Sequence, residues 1–565
     1  MNVWQLAWQA SQHHRRSFWA GWSLFVLFFT FPIAIGWLLG SGFEALSEGN
    51  TRRVSTTAAS IVVLETARMV TIHHAALFWT QAWMHIQSLL RANMLAAQLA
   101  SGGSQAGRPV ASSGEALTHF RDDTEDVALL VDGIVDLSAG VVFTVGAAFV
   151  LGSIDGRAAL VLLIPLAGVA LATRTLDSRI KRYRVADRSA AASVSGLLGD
   201  VMSAATTVKV NDAVDTTLVR LRGLVDARRH TAVRDRVLDE SVWAFSQGAA
   251  DVGLGLVLLV SAGAMASGEF AVGELAVFTA YLGWLSFLPR MVGRMMARHK
   301  QSGVAFHRMS TLVADQDATN TVRARHLPIA AGDRRERPSS ERPARVALEV
   351  LEVRGLRAVH PGGAGVHDVS FAIERGSFTV VTGEIGSGKS TLLRAVLGLS
   401  GGSDRLDMSG EVRWNGDTID DRAAFFVPPN AAFLPQVPQL ISDSLADNVA
   451  LGPAEVSMLE RALVLAAVRD DIDEMPDGLD TMIGPRGLRL SGGQRQRVAT
   501  ARALVHAPEL VVLDDLSSAL DVETELQLWT NLADAGMTVL AVSHRAVAFD
   551  RADQVLRLEA GRLVG

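Results

Sequence analysis

The sequence predicts two folds in one chain: an α-helical transmembrane bundle of six spans over residues 1–314, and an α/β domain over residues 346–565. Three observations carry that prediction. Hydrophobic residues make up 49% of the 565 residues, and mean hydropathy is +0.24, which is apolar for a water-soluble chain. Apolar runs of bilayer length are confined to the first half. The second half alternates short apolar strands with helices, and one strand–helix junction carries a glycine-rich loop ending in lysine and serine.

The length exceeds what one core serves, so at least two domains are expected. The net charge of -6 is small for this length and gives no footprint for a nucleic-acid partner. There is no cysteine, which excludes disulfides, thiolate metal sites and cysteine nucleophiles.

The first apolar run, Phe18 to Leu39, follows His13-His14-Arg15-Arg16. It is longer than the apolar part of a signal peptide and reads as a retained span. Further candidate spans lie at 57–80, 133–153, 158–173, 243–266 and 272–293. A tight turn, Gly152 to Arg157, separates the third from the fourth. Long polar helical stretches separate the second from the third and the fourth from the fifth. Arg174, Arg179, Lys181, Arg182 and Arg184 follow the fourth span, and Arg228, Arg229, Arg234 and Arg236 precede the fifth. Positive charge accumulates on the cytoplasmic side, and an even number of spans then leaves both termini there. The expectation is a multi-pass protein of the cell membrane, in contact with membrane lipid.

The second span carries Glu65, Arg68, His73 and His74. Charges inside a span face a cavity or each other. Glu65 and Arg68 are three apart and can pair on one helix face. Two readings stand: a polar translocation cavity, or an internal ion pair with interfacial histidines. Neighbouring histidines on a helix do not converge on one metal ion. Pro32, Pro165 and Pro289 are positions where spans can bend. Residues 315–345 are small, charged and proline-containing, and read as a linker.

The chemistry begins at Gly383-Glu384-Ile385-Gly386-Ser387-Gly388-Lys389-Ser390, which fits G-x-x-x-x-G-K-[ST]. It follows an apolar strand, Phe378 to Val381, and opens a helix, Thr391 to Leu397. Gly383, Gly386 and Gly388 let backbone N–H groups face a polyphosphate, beside Ser387 and Thr391, and the helix N-terminus favours negative charge. Lys389 then reaches the β- and γ-phosphates of ATP, and Ser390 ligates Mg2+. A second apolar strand, Leu510 to Leu513, ends in Asp514, which places a carboxylate on the same magnesium.

At Leu490-Ser491-Gly492-Gly493-Gln494 the sequence resembles the signature of the ABC ATPases, and the other motifs of that family follow in order. Gln436 stands at the Q-loop position, a third expected neighbour of the metal. Ser518-Ala519-Leu520-Asp521 matches the D-loop, and His544 the switch histidine. Thr481 to Gly487 resembles the X-loop of exporters. Six spans ahead of such a domain look like an exporter-type half-transporter. The resemblance implies that Ser491, Gly493 and Gln494, at the start of a helix running to Val505, act on ATP held by the other subunit's phosphate loop, with Asp521 nearby. It also implies a dimer, because one chain completes neither site. Gly114 to Asp123 and Gly196 to Val201 resemble the regions around coupling helices; solvated helix surface is the other reading.

Three departures from the family pattern bear on function. The glutamate that polarises the attacking water is replaced by Asp515, followed by Leu516. A carboxylate remains for water-orienting chemistry, one methylene shorter. A displacement of about 1 Å costs on the order of a hundredfold in rate, so the expectation is a slow site. That combination, an intact signature with an altered carboxylate, fits one role in heterodimeric exporters; a slow homodimer is the other reading. His360 stands where an adenine-stacking tyrosine is usual, and Pro485 where the X-loop is usually acidic. Two functions from other classes also stay open: a non-transporting ATP-binding regulator, and an importer on the exporter fold. Lipids, peptides, siderophores and drugs are all compatible as substrates.

Overall fold

Long helices fill the first half because its apolar runs continue directly into polar helical sequence. The structure is a computed structural model that describes residues 2–100, 113–267, 270–285, 287–313, 316–325, 343–399, 406–484, 487, 489–516 and 520–564. Most of the segment read as a linker, 315–345, lies outside the described residues, as do Pro485, Ser518 and Ala519. The chain divides into two compact units. One is built from Met1–Asn93, Leu117–Thr311 and Asp315–Leu327, and the other from Met94–Ala116, Leu312–Ala314 and Pro328–Gly565.

In order, the helices of the first half are α1 Val3–Ser11, α2 Arg15–Ser47, α3 Thr51–Ala100, α4 Ser113–Thr118, α5 Thr124–Ile154, α6 Gly156–Ser203, α7 Ala205–Val210, α8 Val214–Ser267, α9 Val272–Leu285 and α10 Phe287–Ser310. A capping box starts α1: Asn2 accepts from Trp4 N, and Gln5 accepts from Asn2 N. The turn expected at Gly152 to Arg157 is tight, and Asp155 caps α6 by accepting from Arg157 N at 2.8 Å. At 1.5 Å per residue, the 54 residues of α8 run about 80 Å, far beyond a hydrocarbon core of about 30 Å. Among the described residues, much of the polar sequence between spans therefore continues the spanning helices, with the short helices α4 and α7 set between them.

Among the described residues, three helical segments are long and apolar enough to cross a membrane: Val3–Ser47, Thr51–Leu99 and Ala116–Ile154. Asp251–Ser267 and Val272–Leu285 are shorter apolar helices. The fourth candidate span lies in α6, and the sixth is carried by α9 and α10 on either side of position 286.

The core of this unit gathers Phe143, Ala147, Val277, Phe278, Tyr281 and Leu282. Helices α2 and α9 meet at glycines: a Cβ on Gly273 would lie 2.3 Å from the Gly40 carbonyl oxygen. The Tyr281 hydroxyl donates to the Ile33 carbonyl across the same seam. Arg298 on α10 pairs with Asp132 on α5 at 3.1 Å, and Trp79 on α3 donates to the same carboxylate at 3.1 Å. The Glu65–Arg68 ion pair forms at 3.1 Å, and the Arg68 guanidinium lies 4.6 Å from the Phe28 ring centroid and 5.0 Å from that of Trp284. His73 and His74 stand with their rings perpendicular, and the described residues contain no group of three or more metal-ligating side chains placed to hold an ion.

Among the described residues the second unit holds ten strands: β1 Val350–Val359, β2 Gly365–Glu374, β3 Phe378–Gly383, β4 Asp407–Trp414, β5 Asp417–Thr418, β6 Ala431–Leu434, β7 Leu510–Asp514, β8 Thr538–Val542, β9 Gln554–Glu559 and β10 Arg562–Leu563. Its helices are α11 Lys389–Val396, α12 Arg422–Phe425, α13 Leu445–Ala450, α14 Val456–Leu465, α15 Arg469–Asp473, α16 Gly492–Leu504, α17 Val522–Asp534 and α18 Ala546–Phe549. Strands β2-β1-β4-β5 form one antiparallel sheet. The other sheet runs β10-β9-β3-β8-β7-β6, and β9, β3, β8, β7 and β6 are parallel. Strands β7 and β8 are buried along their whole length, which explains their unbroken apolar sequences.

Candidate functional site

Parallel strands bring their carboxyl ends to one edge, and that edge is where open α/β sheets bind ligands. Register levels Val381 with Val542, Val542 with Asp514, and Leu513 with Leu434. Each strand then delivers one predicted motif within a few residues: the phosphate loop after β3, Asp514 and Asp515 at the end of β7, His544 after β8, and Gln436 after β6.

The phosphate loop turns through Gly383, Gly386 and Gly388, with φ of 145°, 84° and 100°. Two of these glycines are required twice over. A Cβ on Gly383 would sit 2.1 Å from the Leu558 carbonyl oxygen, and one on Gly388 2.9 Å from that of Gly365. Helix α11 opens at Lys389, two residues before the start read from sequence, so Lys389, Ser390 and Thr391 form its first turn. The Lys389 ammonium donates to the Gly383 and Glu384 carbonyls, both at 2.8 Å. Burial holds its pKa below the ordinary lysine value, against the pull of Asp515 and Asp514.

Ser390 Oγ donates to Asp514 Oδ1 at 2.9 Å. Burial pushes the Asp514 carboxyl above its ordinary value, and its Oδ2 is buried with no hydrogen-bond partner among the described residues. The buried Oγ of Ser387 is likewise unpartnered among them. A hydroxyl and a carboxylate side by side are hard oxygen donors of the kind Mg2+ takes, so the residues present fit that ion. Gln436 Nε2 donates to Asp515 Oδ2 at 3.0 Å, which places the Q-loop side chain against the altered carboxylate. Asp515 has φ 50°, a left-handed backbone that aspartate tolerates better than most residues. His544 is exposed. His360 lies half-buried at the start of the β1–β2 turn, its N–H donating to the Ala364 carbonyl at 2.8 Å.

The other predicted residues sit elsewhere in the unit. Ser491 caps α16, which begins at Gly492 and so takes Gly493 and Gln494 into its first turn. Ser491 Oγ accepts from Gln494 N at 3.2 Å, and Gln494 Oε1 accepts from Ser491 N at 3.0 Å. Asp521 caps α17 by accepting from Thr524 N and Oγ1, both at 2.9 Å, and these bonds hold its carboxyl below the ordinary range.

Sequence reasoning missed the support behind these groups. Glu525 on α17 is fully buried and accepts from Trp529 Nε1 at 3.1 Å and from Arg545 Nη1 at 2.9 Å. Arg545 is the residue after His544, so a buried carboxylate ties down the switch turn. The signal was present: Glu525 shares the buried face of α17 with Leu528, Trp529 and Leu532. Asp471 likewise braces α16, accepting from Gln494 Nε2 at 3.1 Å and Arg497 Nη2 at 2.6 Å.

Comparison with known proteins places both units. Residues 366–518 match the family described as ABC transporter, and residues 18–288 the family described as ABC transporter transmembrane region. The chain is 29% identical over 397 residues to an ATP-dependent lipid A-core flippase of Bordetella avium, covering 69% of this chain and 64% of that protein. It is 30% identical over 319 residues to the multidrug resistance-like ATP-binding protein MdlA of Escherichia coli, covering 55% and 50%. The chain thus spans between half and two-thirds of those relatives' length. Among solved structures it is similar to a bacterial Atm1-family ABC exporter with ATP bound, with a TM-score of 0.69 at 21% identity, covering 98% of this chain and 94% of that one.

Proposed function

The chain belongs to the ABC transporters as a half-transporter of exporter type, a transmembrane region fused to an ATPase domain, and we propose that it works in a dimer as an ATP-driven exporter whose own phosphate loop forms the slower site. The observation that carries the last clause is Asp515. It stands where the family's water-polarising glutamate stands, it is one methylene shorter, and it bonds Gln436. Its backbone is left-handed, φ 50°, a conformation aspartate adopts more readily than most residues.

In this reading Lys389 exchanges its two carbonyl partners for the β- and γ-phosphates of ATP. Ser387 and the loop N–H groups orient the phosphate chain. Ser390 and Asp514, with Gln436 beside them, would hold Mg2+, which when bound would supply positive charge against the transferred phosphate. Asp515 orients the water at a disadvantage in reach. Ser491, Gly493 and Gln494 serve the nucleotide of the partner, and His360 stacks on adenine. ATP binding closes two ATPase domains, and hydrolysis reopens them, alternating access through six spans with both termini cytoplasmic. The partner is a second half-transporter, and a different chain with an intact glutamate fits the altered carboxylate better than a second copy. The relatives' names favour a lipid-like cargo.

Hydrolysis by the purified chain tests the reading. The expected result is slow turnover alone and fast turnover with the native partner. A chain that dimerises alone and hydrolyses ATP at full transport-coupled rate would overturn the heterodimer. Transport into inverted membrane vesicles, lost on Lys389→Ala, separates transport from a regulatory role, and the side on which substrate accumulates separates export from import.

A further inference from the structure

The signature side chains depend on a residue that belongs to no motif of the ATP site. Asp471 lies on α15, a short helix fixed on both sides. Ile472 is fully buried in the core that also holds Ile483 and Val498. Arg469 bridges Glu460 on α14 and Asp473, each at 2.9 Å. From that fixed position Asp471 spends both carboxylate oxygens on α16: Oδ1 accepts from Gln494 Nε2 at 3.1 Å and Oδ2 from Arg497 Nη2 at 2.6 Å. Its side chain is 24% exposed and that of Arg497 12%, so neither bond is a loose surface pair.

An ionised carboxylate only accepts. The Gln494 amide therefore turns its NH2 toward Asp471, and its oxygen is left facing the Ser491 N–H, where the 3.0 Å bond is found. Ser491 Oγ in turn accepts the Gln494 N–H at 3.2 Å. A serine hydroxyl that accepts in this way still has its own proton to donate. The same end of α16 presents N–H groups of Gly492 and Gly493 that have no partner within the helix. The chain of bonds from Asp471 through Gln494 to Ser491 thus fixes the cap: the Ser491 and Gln494 N–H groups are spent on each other's side chains, and the Ser491 hydroxyl proton and the Gly492 and Gly493 N–H groups are left for an anion.

We propose that Asp471 is a positioning residue for the signature: by fixing the Gln494 amide, which accepts from the Ser491 N–H, it holds Ser491 and its hydroxyl in place, and so sets the hydrolysis rate at the site this signature completes on a partner subunit. The proposal rests on the reading that the signature acts in trans. Asp471 acts through Gln494 and Arg497, so its contribution appears in the turnover number, where donor alignment matters, rather than in ATP affinity, which the partner's phosphate loop sets. The Arg497 bond adds a charge to the same anchor and keeps α16 from rotating about its first turn.

The test uses the full chain co-purified with its native partner in lipid nanodiscs, with steady-state ATP hydrolysis as readout. Asp471→Asn keeps size and shape but lets the amide at 471 donate as well as accept, so Gln494 loses its fixed orientation. The expected result is a kcat about tenfold lower with KM for ATP within about twofold of wild type. Asp471→Glu, which keeps two acceptor oxygens, is expected to retain severalfold more activity than Asp471→Asn, although asparagine is the closer isostere. Adding Asp471→Asn to Ser491→Ala is expected to cost nothing further, because both act through one hydroxyl. Losses that multiply in that double variant overturn the proposal. So does a glutamate variant no better than the asparagine one, which is the pattern of a purely structural role. Wild-type kcat in Asp471→Asn while Ser491→Ala slows the enzyme overturns it and leaves the trans reading intact. Wild-type kcat in Ser491→Ala overturns the trans reading itself.

Discussion

The phosphate-loop side of the ATPase domain and its signature side differ in what holds them in shape. On the first, parallel strand register fixes the groups: Asp514, Val542 and Val381 lie level across three paired strands, and two of the loop's glycines, Gly383 and Gly388, are locked by neighbouring carbonyls. On the second, side chains hold side chains: Asp471 braces Gln494, and Gln494 and Ser491 cap each other. A site held by backbone register tolerates the change of one acid and keeps its geometry. A site held by a relay of side chains loses alignment when one link changes. In this chain Asp515, proposed above as the shortened acid, lies on the register-held side.

The largest expected effect breaks the comparison if it spreads. Lys389→Ala removes the cation from the register-held side and is expected to weaken ATP binding there by on the order of a hundredfold, read with a fluorescent nucleotide. With Ser491 serving the partner's site as proposed, hydrolysis there is expected to persist; equal loss at both sites would mean the two sides are not independent. Arg545→Ala leaves the buried Glu525 with one donor fewer and is expected to cost about 2 kcal/mol, read as a lower melting point of the full chain. An unchanged melting point would show that the switch turn is held by register alone. Asp515→Glu sharpens the contrast, with a rate at this chain's own site raised about tenfold, since reach is restored but the left-handed backbone suits aspartate better. The smallest effect is His360→Tyr, whose larger ring is expected to tighten nucleotide binding about threefold by equilibrium titration.

The legible parts of the sequence are those written in consecutive residues. The phosphate loop, the strand ending in Asp514 and the signature each occupy one short stretch, and register then places them together. The apolar runs marked helices, but hydropathy says nothing of where a helix ends once it leaves the bilayer, so the full 48 and 54 residues of α6 and α8 came only from the structure. Pairings between distant residues were illegible for a simple reason: no periodicity links Asp471 to Gln494, or Glu525 to Arg545. Arg68 illustrates the limit. Its spacing from Glu65 predicts the ion pair that forms, whereas the aromatic rings of Phe28 and Trp284 that flank it come from other helices.

The glycine seam between α2 and α9 has a consequence for how the chain is made. Gly40 and Gly273 pack backbone to backbone, and Tyr281 bonds the Ile33 carbonyl, so the first apolar helix finds its partner in one of the last. During synthesis α2 enters the bilayer long before α9 leaves the ribosome. Until then the Gly36 and Gly40 face of α2 lacks the helix it packs against in the finished bundle. Insertion and bundle closure are therefore separate events in this chain, and a truncation before Val272 yields a polypeptide that is inserted yet never closed.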